Sequence, residues 1–212
     1  MTHLLSRISE ACSDFSTQDL QNIKLNKNRL YKHSRLHIHY TTYDVRREQD
    51  VINLRSHSDI MLLANNDPSD RTSGHATSDR DIYRYARVLG IFHVYEQHHV
   101  STNTSVWSEK ERMEVLWVRW FKTDSNLPSG WMAARLPVVS FIIDEADEAD
   151  TYGFVNPQDV IRAAHIIPAF SSQDITTEFP ENSTCCSVAH SHKENEESGR
   201  KNTDYEHYFV NM

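Results

Sequence analysis

The sequence predicts a mainly β domain, a small barrel of short strands with short helical turns and disordered tails. Three observations predict it. Two runs, Ile82–Val94 and Met113–Phe121, are dense in β-branched and aromatic residues, which fit a pleated surface. Polar loops with turn signals separate the apolar runs, as at Asn65–Asp81 and Pro128-Ser129-Gly130. Helical spacing of apolar residues is confined to one stretch near the start, at Leu4, Leu5, Ile8, Ala11, Cys12 and Phe15.

The apolar residues concentrate between about His37 and Phe170, while both ends are polar, and only 38% of the chain is hydrophobic. This predicts one domain with poorly ordered termini. Residues 1–36 read as a polar tail with one short helix, 37–170 as the barrel, 171–204 as a disordered linker, and 205–212 as a terminal strand returning to the domain. Lys24, Lys27, Arg29, Lys32 and Arg35 form a loose basic run in the tail, read as a solvated linker.

His37–Val45 alternates and is rich in Thr and Tyr, so it predicts a strand. His37 and His39 share a face, but no Cys or carboxylate completes a metal site there. Arg46–His57 is a polar approach to a short strand at Ser58–Leu63. In Ile82–Val94, Gly90 marks a bulge or tight bend. Gln97–Lys110 reads as a loop carrying a solvated His98-His99 pair. In Met113–Phe121, Leu116, Val118 and Trp120 fall on one face, and Trp117 and Arg119 on the other. Arg135–Ile143 is a further strand, followed by a solvated acidic run, Asp144–Asp150. Asn156-Pro157-Gln158-Asp159 has the chemistry of a helix start, with a helical turn to about Arg162. His165–Phe170 returns extended to the core.

A formal charge of −8 repels phosphate backbones unless positive charge is local, and segment 82–143 carries only two more basic than acidic residues. The three cysteines, two of them adjacent, do not make a disulfide framework. Cys185, Cys186, His190 and His192 lie close together, but adjacent cysteines suit one tetrahedral ion poorly. No metal or cofactor site is therefore predicted. No stretch reaches the roughly 20 apolar residues of a membrane span, and no secretory signal opens the chain. The reading is a soluble intracellular protein with no membrane role. Catalysis is not expected: the chain lacks a phosphate-binding loop, a nucleophile elbow and a zinc-protease helix, and nothing marks Asp44, Asp59 and Asp159 as a metal-binding set.

One group of motifs carries a resemblance. It comprises Tyr40–Arg47 with Ile52-Asn53 and His57–Met61, Tyr85–His93, Leu116–Phe121, Gly130-Trp131 with Arg135-Leu136, Tyr152–Pro157, Val160–Arg162, His165–Phe170 and Tyr208–Met212. In that order they resemble the C-terminal domain of the basidiomycete Plavaka/KDZ-type transposase-associated proteins, over about 39–170 and the last eight residues. Two departures stand out: the large transposase-like region that can precede the domain is absent, and relatives tend to continue past Met212. The resemblance therefore implies a solo or decayed copy of a fungal element. At the level of fold, the strand order is also similar to bromo-adjacent homology (BAH) domains, which are SH3-like β barrels that bind chromatin proteins, sometimes through aromatic cages. A fold does not fix a function, so that similarity is an analogy, under which a chromatin-facing role and a nuclear location are expected.

The expected function is a non-catalytic interaction module that binds a protein or histone-tail peptide through an aromatic surface. Candidate ligand-binding residues are Tyr83, Tyr85, Trp117 and Trp131, because ring faces hold cations. Trp120 reads as core. The alternatives are a DNA-contacting accessory domain using Arg84, Arg87 and Arg119, and a decayed fragment of a transposition enzyme. The sequence leaves the oligomeric state open.

Overall fold

The computed structural model describes residues 23–64, 82–98, 107–124, 127, 129, 133–142, 151–170, 174–175 and 204–211. Among these residues, fourteen strands run in chain order as β1 (Ile23–Leu25), β2 (Tyr31–His33), β3 (Arg35–Thr41), β4 (Arg47–Asn53), β5 (Asp59–Leu63), β6 (Tyr83–His98) and β7 (Glu111–Thr123), then β8 (Val138–Phe141), β9 (Tyr152–Val155), β10 (Val160–Ala163), β11 (His165–Pro168), β12 (Asp174–Ile175), β13 (Asp204–Tyr205) and β14 (Tyr208–Asn211). Single turns of 3-10 helix precede β2 at Asn26–Asn28 and β10 at Pro157–Asp159. The protein is mainly β, as its composition predicts, and every strand pair is antiparallel.

The main sheet follows the path β10-β5-β6-β7-β8-β14-β11, with β1 and β2 added to β6 and β9 added to β7. β6 and β7 are its spine. Val88 faces Val118 and Ile91 faces Leu116, with a slip in register between Val88 and Gly90. The bulge expected at Gly90 is therefore present, and it explains why glycine stands there: a Cβ would overlap the ring of Phe92. Beyond the bulge, β2 and β1 take over from β5 as the partners of β6.

Both faces of the spine are buried over its central stretch, which is why the two runs read as nearly continuous apolar sequence. Ala86, Val88, Ile91, Leu116 and Val118 pack with Ile38, Ile52, Ile60, Leu62, Val155 and Val160, and Trp120 packs against them. Tyr85 and Phe121 turn the other way, into a second cluster with Met61, Val139, Phe141, Ile166, Tyr208 and Val210. Burying side chains of this size stabilises by about 1.5–3 kcal/mol each.

The β3–β4 hairpin docks on β10 through a polar clip. Arg162 lies 4.3 Å from the ring centroid of Tyr40 and donates to its hydroxyl at 3.0 Å. The Asp50 carboxylate accepts from the Ala163 backbone N–H at 3.0 Å and from the Tyr40 hydroxyl at 3.3 Å.

Several sequence expectations are corrected. The segment 23–33 is not wholly a tail, because β1 and β2 pair with β6. The polar approach at Arg46–His57 contains strand β4, whose core contact is Ile52. The helical turn ends at Asp159, and Val160–Ala163 is strand: Asn156 caps the turn by accepting from the Gln158 N–H, but no longer helix follows. Asp174–Ile175 pairs with Asp204–Tyr205, so the two ends of the polar linker are held together. The expected closed ring of strands is not seen: β10 and β11 end the path, and no pairing among the described residues joins them. The N-terminal apolar stripe, the acidic run 144–150, the His99 position and the Cys185–His192 cluster lie outside the described residues.

Candidate aromatic interaction surface

The antiparallel registers line up side chains in rows across the spine. One row is Asp59–Arg87–Arg119–Tyr152, crossing β5, β6, β7 and β9. The next is Gly90–Trp117–Phe154, and beyond it stand Lys32, Phe92 and Val115. All these side chains lie on one face, because residues two apart in a strand do.

The first row is sealed from Asp59 to Arg119, and only its end at Tyr152 is half-buried. Arg87 donates from Nε to Asp59 Oδ1 at 2.7 Å and from Nη2 to Oδ2 at 3.1 Å. Its guanidinium lies 5.0 Å from the Phe141 centroid, and that of Arg119 lies 3.9 Å from the same ring. Phe121, Phe141 and Tyr208 close over them with rings 4.2–5.7 Å apart.

The second row comes to the surface. Gly90 contributes no side chain, and the half-buried Phe92 ring folds back over it. Trp117 is half-buried, with its ring centroid 6.2 Å from that of Tyr152 at a tilt of 36°. Phe154, its direct cross-strand partner, is 49% exposed. Phe92, Trp117, Tyr152 and Phe154 thus form an aromatic strip next to the buried ion pair. On the opposite face Gly153 has no Cβ because one would lie 2.6 Å from Nε1 of Trp120.

The structure separates the residues that the sequence grouped. Trp117 lies in the strip. Tyr83 is 36% exposed at the other end of β6, opposite Leu63. Tyr85 is 4% exposed and belongs to the second core cluster, and burial pushes its hydroxyl above the usual tyrosine range. It is a packing residue here, not a surface one. Arg84 remains exposed, stacked 4.2 Å from the centroid of Trp120. Arg87 and Arg119 are buried, at 8% and 1% exposure, so they present no charge to a phosphate backbone at the surface. Their positions inside strands suggested exposure, but Asp59 and the aromatic rings take them up instead. Trp131 lies outside the described residues.

Phe92, Tyr152 and Phe154 were not singled out from the sequence. Their signal was the pattern Gly-x-Phe at 90–92 and Tyr-Gly-Phe at 152–154, an aromatic residue beside a strand glycine. Among the described residues no three metal-ligating side chains converge. Asp44 pairs with Arg46 in the β3–β4 turn and Asp59 with Arg87 in the core, while Asp159 sits in the 3-10 turn. No helix among the described residues is long and apolar enough to cross a membrane. No protein-family model, curated protein or solved structure matches this chain.

Proposed function

We propose that this chain is a non-catalytic interaction module of transposable-element origin, binding a protein segment through the strip formed by Phe92, Trp117, Tyr152 and Phe154. The observation that carries this reading is Phe154: a phenylalanine 49% exposed, directly across from a half-buried tryptophan. Aromatic anchors of this kind dominate binding energies at protein interfaces. Ring faces at this spacing also hold cations, at about 0.5–2 kcal/mol each, so modified histone tails are the first class of peptide to test.

The fold proposed for the module is a small barrel of the BAH or SH3-like type. Its support is a point of connectivity. The strands at the two ends of the path, β10 and β11, are separated in the chain by Ala164 alone. The Ala164 N–H donates to the Asp59 carbonyl at 2.9 Å, so the chain leaves one end of the sheet and joins the other within a residue.

The test is titration of the full chain with a panel of modified and unmodified histone peptides, with duplex DNA alongside. Phe154→Ala and Trp117→Ala should each weaken peptide binding at least tenfold, with Phe154→Ala leaving the melting temperature within about 2 °C because the ring is half in water. Peptide binding unaffected by both substitutions would overturn the reading. Binding of DNA alone, weakened by salt, would replace it with the accessory-domain reading.

A further inference from the structure

The edge of β6 beyond the bulge carries a feature that the aromatic strip does not use. β2 pairs there through Tyr31↔His93, Lys32↔Phe92 and His33↔Ile91. His33 Nε2 and His93 Nδ1 stand 2.6 Å apart, a distance that requires one proton between them. Tyr31 stacks on the His93 ring at 4.7 Å, and Tyr95 meets both rings edge-on at 5.3 and 6.0 Å. From β7, Glu114 is the cross-strand partner of His93, and it is paired with Arg112 at 2.8 Å. β2 adds the exposed Lys32, and the 3-10 turn before it adds the exposed Lys27.

We propose that β2 is an acid-releasable strap on β6, with the His33–His93 hydrogen bond as its latch. Two neutral imidazoles, or one neutral and one charged, can share a proton along the N–N line. Two imidazolium rings cannot, because both then present N–H donors and like charge at contact distance. One proton on the N–N line serves with either ring as donor. A second puts charge on His93, which is 9% exposed, so the closed strap resists it. Burial first, then Arg112 and His33, hold the His93 imidazole below the usual histidine range, with Glu114 opposing.

The consequence is set by linkage. With the strap released, the His93 ring on β6 returns towards the usual histidine value near 6.5, while in the closed strap burial holds it lower. Falling pH therefore favours release, and about 30-fold in the opening constant between pH 8 and pH 5 is the ceiling set by the usual histidine value. Release uncovers the hydrogen-bonding edge of β6 around Ile91–His93, an edge that a strand of another chain can fill. Glu96, beneath β1 and opposite Leu25, acts with the opposite sign, since burial favours its protonated form. The amides of β2 itself are thus the proper reporter.

Amide hydrogen exchange on the full chain by NMR, corrected for the intrinsic pH dependence, tests this. Protection of the β2 amides should fall several-fold, by at most about 30-fold, between pH 8 and pH 5, while that of Val115–Val118 in β7 holds. His33→Gln should weaken the change, because its amide reaches as far as Nε2 and can either donate to His93 or accept from it, while the burial of His93 and the charge of Arg112 remain. Equal protection at both pH values, an equal loss in β7, or an unaltered pH response in the Gln variant would each overturn the proposal.

Discussion

Arg87 holds both oxygens of Asp59 across adjacent strands, at 2.7 and 3.1 Å, inside the core. The two residues are 28 apart in sequence and directly opposite in register. On its other side Arg87 faces a second buried arginine, Arg119. The carboxylate therefore offsets positive charge that has little access to water. Removing it leaves a buried guanidinium without its ionic partner, which costs about 3–5 kcal/mol. Asp59→Asn should lower the unfolding free energy by that order, read from urea midpoints at constant m-value. A loss under 1 kcal/mol would show that the pair is not what neutralises this row.

The β3–β4 hairpin carries an avoidable strain. Its turn, Thr42–Arg46, is closed by bonds from Thr42 N–H to Arg46 O at 2.8 Å and from Val45 N–H to Thr42 O at 2.9 Å. Val45 sits there with φ of 62°, in the left-handed region that a β-branched side chain occupies at a cost of roughly 1–2 kcal/mol. Its side chain is 80% exposed and contributes little packing in return. Val45→Gly should stabilise the protein by about 1 kcal/mol, less the backbone entropy that glycine brings to the unfolded chain. A thermal melt that moves down instead would mean the valine is used by a partner or a covering segment.

Gly153 is a packing glycine. A Cβ there would stand 2.6 Å from Trp120 Nε1 and 3.2 Å from Cε2, and the indole is held by the Arg84 guanidinium at 4.2 Å. Gly153→Ala should destabilise by about 1–3 kcal/mol, the range for overpacking. Gly90→Ala should cost less, because the obstacle is the half-buried ring of Phe92, which can swing outward. That swing displaces a member of the aromatic strip, so Gly90→Ala should weaken peptide binding more than it weakens the fold. Comparing the two variants by melting temperature and by peptide titration checks both statements.

The strands were legible wherever a long run had to be buried. Ile82–Val94 and Met113–Phe121 correspond to β6 and β7, each observed to extend a few residues further, and Gly90 announced the bulge. β1, β2 and β4 were not legible. β1 and β2 are three residues long and lie in a lysine-rich stretch, and β4 buries few residues, chiefly Ile52. Short edge strands take their stability from a neighbour far along the chain, and local composition does not record that. The arginines failed for a related reason. An arginine inside a strand reads as solvent-facing until register supplies Asp59 and three rings to receive it. The aromatic strip was half legible: Trp117 stood out by type, while Tyr152 and Phe154 acquire their position only when β9 pairs with β7.

Glu96 gives a pH-dependent prediction with a defined sign. It is 2% exposed, its Oε2 has no hydrogen-bond partner among the described residues, and its cross-strand neighbours are Leu25 and Glu111. Burial, the larger cause, and the like charge of Glu111 push its carboxyl above the usual range, while His98 pulls it back. A raised carboxyl binds its proton more tightly in the fold than in the unfolded chain. The folded state is thus not penalised below about pH 4.5, where both forms are protonated. The penalty grows as pH rises from there to the raised folded pKa, and is constant above it. Glu96→Gln removes the titration while keeping the shape, so E96Q should be more stable than the parent at pH 8 by on the order of 1 kcal/mol, with the gap closing towards pH 4.5. His93, lowered by burial, acts with the opposite sign, but it is common to both proteins and cancels in the difference. Urea midpoints of the parent and E96Q at pH 4.5, 6 and 8 measure it. A gap that stays constant across the three would mean that Glu96 is ionised in the fold throughout, and held by a cation that reaches it beneath β1.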